Sequence, residues 1–315
     1  MAEFRLVVKA PGYMNSVWSH HINKALFTLP AQRVFTRRSK IFTLGSCFAV
    51  EVRKVLKKKG IAVYPEFDKM PLQADRYRMG GLPDRENFNY YNTFSIEQEL
   101  ARAIGVWTPD EDDIWQIKDQ WWESGECAFQ DPYRRCVFGR TEGDLRKASS
   151  SLSEAVQAGV RNADGFLITL GLIEVWKKHN NHKVACMHPG YEFGGGESET
   201  YFHLSDYHEN LENLEKIVSH LHQANPRAEI VFTVSPVPLG KTFTNNDVFT
   251  ANMESKSLLR TAAAEVCRKH DHVHYFQSYD IANALRNIYV DDGRHVRPEV
   301  VSLIVNGFVD AFFAP

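Results

Sequence analysis

The hydrophobic and polar positions of this chain alternate between short apolar runs and longer amphipathic stretches. This alternation is typical of strand–helix–strand units that assemble into a parallel sheet with helices on both faces. Compact runs rich in β-branched and aromatic residues predict the strands, at Lys40–Leu44, Ile61–Tyr64, Gly165–Leu170, Glu229–Val234 and His274–Phe276. The pattern therefore predicts an α/β fold of three layers around about five parallel strands.

Apolar residues three and four positions apart predict helices in the stretches between these strands. They cover Phe48–Lys59, a segment that begins at Ser95, Glu142–Asn162, Asp206–Gln223, Asn252–Lys269, Ile281–Asn287 and Pro298–Phe312. Gly60 is expected to end the first of these helices, because glycine readily adopts the left-handed conformation found after a helix C-terminus. Pro298 favours the start of the last helix, since the first turn does not need the N–H that proline lacks.

Two segments interrupt the alternation. Residues 107–138 contain four tryptophans around a Glu123–Glu126 turn, and they predict a small β-hairpin insertion. Its aromatic side chains could either cover a functional site or pin the insertion to the core. Residues 177–204 contain four histidines and three consecutive glycines, and they predict a long loop. The remainder shows no repeat or linker, so residues 1–315 are expected to form a single domain.

Composition and charge narrow the classes of partner. The chain has 37 basic and 39 acidic side chains and a formal net charge of −2, so it lacks the basic footprint of a nucleic-acid-binding protein. No stretch of about 18 apolar residues occurs, and no membrane partner is expected. The N-terminus lacks the features of a secretory signal, and the five scattered cysteines favour a reducing compartment. A cytoplasmic location is therefore expected, while the oligomeric state stays open.

Two short segments carry candidate chemistry. Ser46 follows Gly45 at a predicted strand-to-helix turn, a position that exposes a hydroxyl beside the N–H groups of the helix. The alternative is that Ser46 is simply the N-cap of this helix. Near the other end of the chain, Asp292 precedes His295 by three residues, so its carboxylate can orient the imidazole while the second ring nitrogen accepts a proton from serine. A solvated turn is the alternative for this segment.

The run Gly45–Ala49 spells GSCFA, and with the Asp292-x-x-His295 segment it resembles the GSCFA-domain family, a bacterial branch similar to the SGNH or GDSL-like hydrolases. Residues 92–95, 235–238, 252–257 and 275–279 resemble further segments of that family. The resemblance implies a flavodoxin-like, SGNH-like α/β domain and a serine-dependent esterase or O-acyltransferase. On this interpretation Ser46 forms the acyl-enzyme, His295 transfers the proton and Asp292 orients His295.

The resemblance implies a fold and a mechanism and no more, so the substrate class and the cofactor are separate expectations. The expected substrate is an acylated carbohydrate or a similar small polar ester. No cofactor is expected, although transfer would require an acyl donor such as acetyl-CoA. Trp121 and Trp122 are candidates for stacking on a sugar face, and His188 is a candidate for lining the pocket. The alternative function is a non-catalytic ligand-binding protein on a hydrolase scaffold.

One departure from the hydrolase pattern concerns the oxyanion hole. Those enzymes place an oxyanion-binding asparagine two residues after the glycine that ends the central strand, and here that position is Ile173, followed by Glu174. Asn92 is therefore the expected side-chain donor, with the backbone N–H groups of Ser46 and Gly171 as the other donors. The identity of the donor matters, because the loss of one oxyanion donor costs about 10²–10³ in rate.

Two rival chemistries involve cysteine and histidine. Cys47 lies at a helix N-terminus, where the pKa of a thiol is lowered, so it could be the nucleophile; we expect it instead to turn inward and pack. The histidines at positions 179, 182, 188 and 203 could suggest a metal site. Their spacing differs from the i, i+4 pair of zinc hydrolases, and no metal is expected.

Overall fold

The computed structural model describes residues 4–10, 18, 21, 26–70, 89–118, 127–135, 137–189, 196 and 198–315. Its strands, numbered along the chain, are β1 (Arg5–Lys9), β2 (Leu26–Pro30), β3 (Ile41–Gly45), β4 (Val63–Tyr64), β5 (Trp115–Lys118), β6 (Cys127–Gln130), β7 (Phe138–Gly139), β8 (Gly165–Leu170), β9 (Glu174–Lys178), β10 (Val184–Ala185), β11 (Thr200–Leu204), β12 (Glu229–Val234) and β13 (Val273–Phe276). The central sheet is fully parallel, in the order β13-β12-β8-β3-β4. These are the five strands that the apolar runs predict.

Helices cover both faces of the central sheet. They are α1 (Cys47–Lys58), α2 (Thr93–Ala103), α3 (Glu142–Asn162), α4 (Tyr207–Ala224), α5 (Val248–Lys269), α6 (Ser278–Ala284) and α7 (Pro298–Phe312), with a 3-10 turn at Phe67–Lys69. The three-layer α/β prediction is confirmed. None of the described helices is long and apolar enough to cross a membrane.

Helix caps explain where two boundaries differ from the prediction. Helix α2 starts before Ser95, because the side chain of Asn92 accepts a hydrogen bond from the Ser95 N–H and so caps the helix. Helix α5 starts at Val248 rather than Asn252, since the side chain of Asp247 accepts from the Phe249 N–H. In both cases a short polar side chain sets the helix start, and periodicity alone does not locate it.

The two faces of the sheet carry separate hydrophobic clusters. On one face, α3, α4 and α5 bury residues such as Leu152, Leu214 and Leu259 against the strands. On the other face, α1 and α7 pack residues such as Phe48 and Phe308 around their own cluster. The strands are apolar on both sides, as a central parallel sheet requires.

Two small antiparallel sheets lie outside the central one. Strands β5, β6 and β7 form the first, and the β5–β6 pair is the antiparallel pair predicted for residues 107–138. Strands β9, β10 and β11 form the second, in the order β10-β9-β11. The prediction of a long loop over 177–204 is wrong in part, because β9 extends to Lys178, and Val184–Ala185 and Thr200–Leu204 pair with it. Their strand character comes from a tertiary partner rather than from a strong local pattern.

Candidate functional site

The turn between β3 and α1 is shaped by a glycine. Gly45 has a φ of +133°, and a Cβ atom there would lie 2.1 Å from the backbone oxygen of Thr169 on the neighbouring strand β8. Only glycine combines this backbone conformation with so close an approach. The turn therefore brings Ser46, at the start of α1, beside the carboxyl end of β8, where ligands of parallel α/β sheets bind.

The hydroxyl of Ser46 has no structural task among the described residues. Ser46 is the N-cap residue of α1, yet its side chain makes no capping hydrogen bond. Its Oγ is buried without a hydrogen-bond partner in the described part of the chain. The serine is 2% exposed, less than the rim position suggested by the sequence, because the residues of a cavity enclose it. The N-cap interpretation therefore does not account for this side chain.

The turn before α7 holds an aspartate–histidine pair. The Nδ1 of His295 is hydrogen-bonded to Oδ2 of Asp292, and the N–H groups of Arg294 and His295 donate to Oδ1 at 2.8 and 2.9 Å. These bonds lower the pKa of the Asp292 carboxyl to about 2, and the bond from the imidazole contributes most. The carboxylate is thus ionised at neutral pH and fixes the ring, which leaves Nε2 as the nitrogen able to exchange a proton with a substrate or a serine.

Residues from the early and the late part of the chain line the same cavity, which has a volume of about 510 Å³. Ser46 and His295 both line it, and so do Gly171 and His188. Its other described lining residues are Cys47, Asn89, Tyr91, Arg135, Leu172, Met187, Ser235, Val237, Pro238, Leu239, Gly240, Lys241, Phe243, Lys256 and Arg294. The volume suits a small molecule. The cavity therefore contains an unbonded serine hydroxyl and an imidazole oriented by a carboxylate.

The segment 235–247 forms one wall of this cavity and is held by Glu174. The two carboxylate oxygens of Glu174 accept hydrogen bonds from the Thr242 hydroxyl and the Phe243 N–H, both at 2.7 Å. On the other side, Nε of Arg294 donates to the Pro238 carbonyl at 3.1 Å. Glu174 therefore anchors the cavity wall, and Arg294 ties this wall to the turn that carries His295.

Lys256 is a buried lysine at the cavity. It lies on α5, is 2% exposed, and donates from Nζ to the backbone oxygen of Gly171 at 2.7 Å. Burial lowers its pKa to about 7, with a further lowering contribution from Arg294. The sequence does contain a signal for this position, because a lysine lies among the buried residues Ala251, Ser255 and Leu259 of an amphipathic helix.

A family model described as the GSCFA family matches residues 40–308 of the chain. The chain belongs to the GSCFA family. The match includes the Gly45–Ser46 turn, the cavity wall and the Asp292–His295 turn. No curated protein sequence matches this GSCFA protein.

Several solved structures are similar to parts of the GSCFA fold. A family 3 carbohydrate esterase from Talaromyces cellulolyticus is 12% identical, with a TM-score of 0.41 over 86% of this chain and 94% of that chain. The periplasmic domain of a lipopolysaccharide acetyltransferase from Salmonella ser. Paratyphi A is 11% identical, with a TM-score of 0.35 over 93% and 88%. A structure from Streptococcus pneumonia, 18% identical, matches 51% of this chain and 66% of its own, with a TM-score of 0.33. Similarity at these identities and TM-scores gives no information on the chemistry of the site.

Two of the three donors expected for the oxyanion hole are engaged elsewhere in the GSCFA protein. The Ser46 N–H donates to the Thr169 carbonyl at 3.1 Å, and the Gly171 N–H donates to the Tyr91 carbonyl at 3.0 Å. The third, the side chain of Asn92, caps α2 through its acceptor Oδ1 and does not line the cavity. Neighbouring backbone carbonyls take both N–H groups because buried backbone groups need partners.

Asn89 is buried like Asn92 but, unlike Asn92, it lines the cavity. It is 1% exposed. Its Nδ2 donates to the Tyr91 hydroxyl at 3.2 Å, while its Oδ1 has no partner among the described residues. Since a phenol both donates and accepts, the amide can exchange its two ends, keep this bond and present N–H groups instead. The sequence offered no pattern that singles out Asn89, because it lies outside any periodic element.

The aromatic side chains of the insertion divide into two groups. The ring of Trp107 packs edge-on to Tyr133 at 4.9 Å, and Trp115 is buried with its Nε1 donating to Glu199 at 2.9 Å. Trp115 anchors the insertion to a residue outside it, as one of the two interpretations expected, whereas the contact of Trp107 lies within the insertion. Trp121 and Trp122 lie outside the described residues. Phe243, which is 39% exposed, is an aromatic residue that lines the cavity and was not expected from the sequence.

The cysteine and the histidines considered as an alternative nucleophile or as metal ligands lie in different surroundings. Cys47 is partly buried, packs against the cluster of α1 and α7, and also lines the cavity, so it does not turn fully inward. His188 lines the cavity with its ring 5.0 Å from that of Phe243. His182 contacts the Tyr201 hydroxyl and His203 contacts Glu209. Among the described residues, no group of three or more His, Cys, Asp or Glu side chains is arranged to hold a metal ion.

Proposed function

We propose that this GSCFA protein is a serine-dependent esterase or O-acyltransferase that forms an acyl-enzyme on Ser46. One observation carries the proposal: the hydroxyl of Ser46, without a partner among the described residues, lines the same cavity as the imidazole that Asp292 orients. A serine needs an adjacent base to become a nucleophile at neutral pH, and His295 Nε2 is the nitrogen available for that task.

In the first half-reaction, Ser46 Oγ attacks the carbonyl carbon of the ester and His295 Nε2 accepts the hydroxyl proton. The carbonyl oxygen becomes an oxyanion as the new C–O bond forms. Collapse of this intermediate breaks the bond to the leaving alcohol, whose oxygen receives the proton from His295. Asp292 keeps the ring in the correct tautomer and stabilises the imidazolium that forms.

Asn89 is the side chain we propose as oxyanion donor, in the place expected for Asn92. Its amide is buried at the cavity and holds one end without a partner among the described residues. The start of α1 adds the positive end of a helix dipole beside Ser46. A fixed donor in a buried site stabilises developing charge more than one exposed to water.

In the second half-reaction, a water or an acceptor hydroxyl attacks the acyl carbon on Ser46. His295 takes the attacking proton and returns a proton to Ser46 Oγ as the acyl bond breaks. Hydrolysis and transfer share every residue in this scheme, and they differ only in the group that accepts the acyl chain. A small acylated carbohydrate suits the cavity, because the exposed ring of Phe243 offers a flat apolar face.

Fluorophosphonate labelling tests the proposal. We expect one covalent adduct per chain, mapped by peptide mass spectrometry to Ser46, since the probe reacts with activated serines. The adduct should vanish in Ser46→Ala and fall at least about 100-fold in rate in His295→Ala, the range expected for a lost general base.

The neighbouring thiol provides a matched control. Cys47→Ala should keep the adduct, because the reaction is assigned to the hydroxyl and not to the thiol. A folded wild-type protein without an adduct would contradict the proposal and favour a ligand-binding protein on this scaffold. An adduct that survives Ser46→Ala and disappears in Cys47→Ala would move the nucleophile to Cys47.

A further inference from the structure

The charge of the cavity differs from that of the whole chain. The protein carries nearly equal numbers of basic and acidic side chains. The described lining of the cavity, in contrast, includes Arg135, Lys241, Lys256 and Arg294 together with two histidines, and none of its described residues is Asp or Glu. Such a one-sided lining raises the local concentration of anions, because a cleft with low-dielectric walls focuses the field of its charges.

Three of these cations have no carboxylate to neutralise them within the described residues. No ion pair in this part of the chain involves Lys241, Lys256 or Arg294, although many other cations are paired. Glu174 and Asp292 lie beside the lining, but neither forms an ion pair with Lys241, Lys256 or Arg294 among the described residues. Glu174 accepts bonds from the cavity wall, and Asp292 holds His295.

Two of these cations have unused donors. Arg294 uses its Nε for the Pro238 carbonyl, and no hydrogen bond among the described residues uses its two terminal nitrogens. The Nζ of Lys241 lies 5.0 Å from the centre of the Phe243 ring, with no oxygen acceptor in the described residues. The Nζ of Lys256, by contrast, already donates a hydrogen bond to the Gly171 carbonyl. Lys241 and Arg294 are therefore the cations available to a ligand.

We infer that the cavity takes a substrate bearing an anionic group, a carboxylate or a phosphate, which Lys241 and Arg294 bind. This inference rests on the proposed acyl-transfer function of the same cavity and names its substrate class: a negatively charged carbohydrate ester. An arginine fork and a lysine point charge both suit carboxylate and phosphate oxygens. The exposed ring of Phe243 beside Lys241 would contact the apolar face of the sugar.

Direct binding separates this inference from catalysis. Calorimetry on the Ser46→Ala protein compares glucose, glucuronate and glucose 6-phosphate, three non-ester sugars that differ in charge. We expect at least one of the two anionic sugars to bind about ten-fold or more tightly than glucose, since a hydrogen bond to a charged group gains about this much. The preference should weaken as salt is raised. The anionic sugar that binds with the higher affinity shows whether the site prefers a carboxylate or a phosphate.

Charge variants identify the side chains. Lys241→Met and Arg294→Met should each reduce the anion preference about ten-fold or more, and Lys241→Glu should abolish it. Lys147→Met and Arg161→Met, at exposed positions of α3, remove the same charges away from the cavity and should leave the preference intact. Thermal unfolding of each variant checks that it is folded.

Each outcome bears on one claim. Equal affinity for the three sugars, or no binding of the two anionic ones by the folded protein, would overturn the inference even if Ser46 is labelled by the fluorophosphonate. A clear anion preference with no labelling would leave the inference about the ligand standing and overturn the proposed catalysis.

Discussion

At the scale of single residues, the site depends on side chains that are buried without the partners they would normally have. Ser46 Oγ and Asn89 Oδ1 have no hydrogen-bond partner among the described residues, and Lys256 has a single carbonyl acceptor. Burial of polar groups in this way costs stability, since the lost contacts with water are not replaced. Such groups are typical of sites that bind or transform a ligand.

Lys256 gives a prediction about stability and pH. Burial lowers its pKa to about 7 in the folded protein, while an unfolded chain has the ordinary lysine value of about 10.4. Between these values the unfolded state holds more protons, so the penalty for the buried charge is largest below pH 7 and is relieved as the pH rises. Urea unfolding of wild type and Lys256→Met at about pH 7 and about pH 9 measures this effect. The free energy of unfolding of wild type, relative to the variant, should increase by about 2 kcal/mol.

The surface substitution Lys216→Met, on α4, is the control and should follow the wild-type pH dependence. A relative stability of Lys256→Met that does not change between the two pH values would show that Lys256 titrates at an ordinary value. The comparison between variants removes the contributions of all other titrating groups that they share.

At the scale of elements, the cavity is built by segments that hold one another in place. Strand β9 carries Glu174, whose carboxylate holds the 235–247 segment by two hydrogen bonds. The ring of Trp176, on the same strand, packs edge-on to Phe243 at 5.3 Å. The second antiparallel sheet therefore positions a wall of the cavity. The hydrolase pattern places a catalytic asparagine near this part of the chain, whereas here Glu174 has an architectural role.

Glu174→Gln tests this anchor. The amide keeps the shape of the carboxylate but has one acceptor oxygen for two donors, and it lacks the charge. Hydrogen exchange measured by mass spectrometry should therefore be about ten-fold or more faster in peptides that span residues 238–247, because the lost charged hydrogen bond is worth about 1.5–3 kcal/mol. The exposed substitution Glu212→Gln, on α4, should leave these peptides unchanged. Unaltered exchange in folded Glu174→Gln would mean that other contacts hold the segment.

At the scale of the whole molecule, the two faces of the sheet bury separate clusters, and the C-terminal helix α7 completes one of them. The ring of Phe308 is fully buried there, 5.2 Å from Phe276 on β13 and 4.9 Å from Phe312. The same helix follows directly after the turn that carries His295. Packing of α7 thus fixes the late segment of the chain against the sheet that also carries Ser46.

Phe308→Ala should lower the free energy of unfolding by about 3–5 kcal/mol, through the lost apolar burial and the cavity left behind. Phe249→Ala provides the matched control, because Phe249 is a helical phenylalanine that is 83% exposed. It should change stability by less than about 0.5 kcal/mol. Denaturant unfolding measures both. Similar small losses in the two variants would argue that the α7 cluster contributes little to the stability of the fold.

The sequence by itself determined the parallel sheet, most of the helices, and the two segments with candidate chemistry. Continuous apolar runs mark strands buried on both faces, and the 3.6-residue period marks the buried faces of the helices. The Gly45–Ser46 turn needs a glycine for local and steric reasons. Only the tertiary structure decided which polar groups have no partner within the described part of the chain and line the cavity. The N–H groups of Ser46 and Gly171 are taken by neighbouring backbone carbonyls, while Asn89, Lys241 and Arg294 meet at one cavity from distant parts of the chain. Loop residues of this kind have no periodicity, so only the packed fold shows which of them share a site.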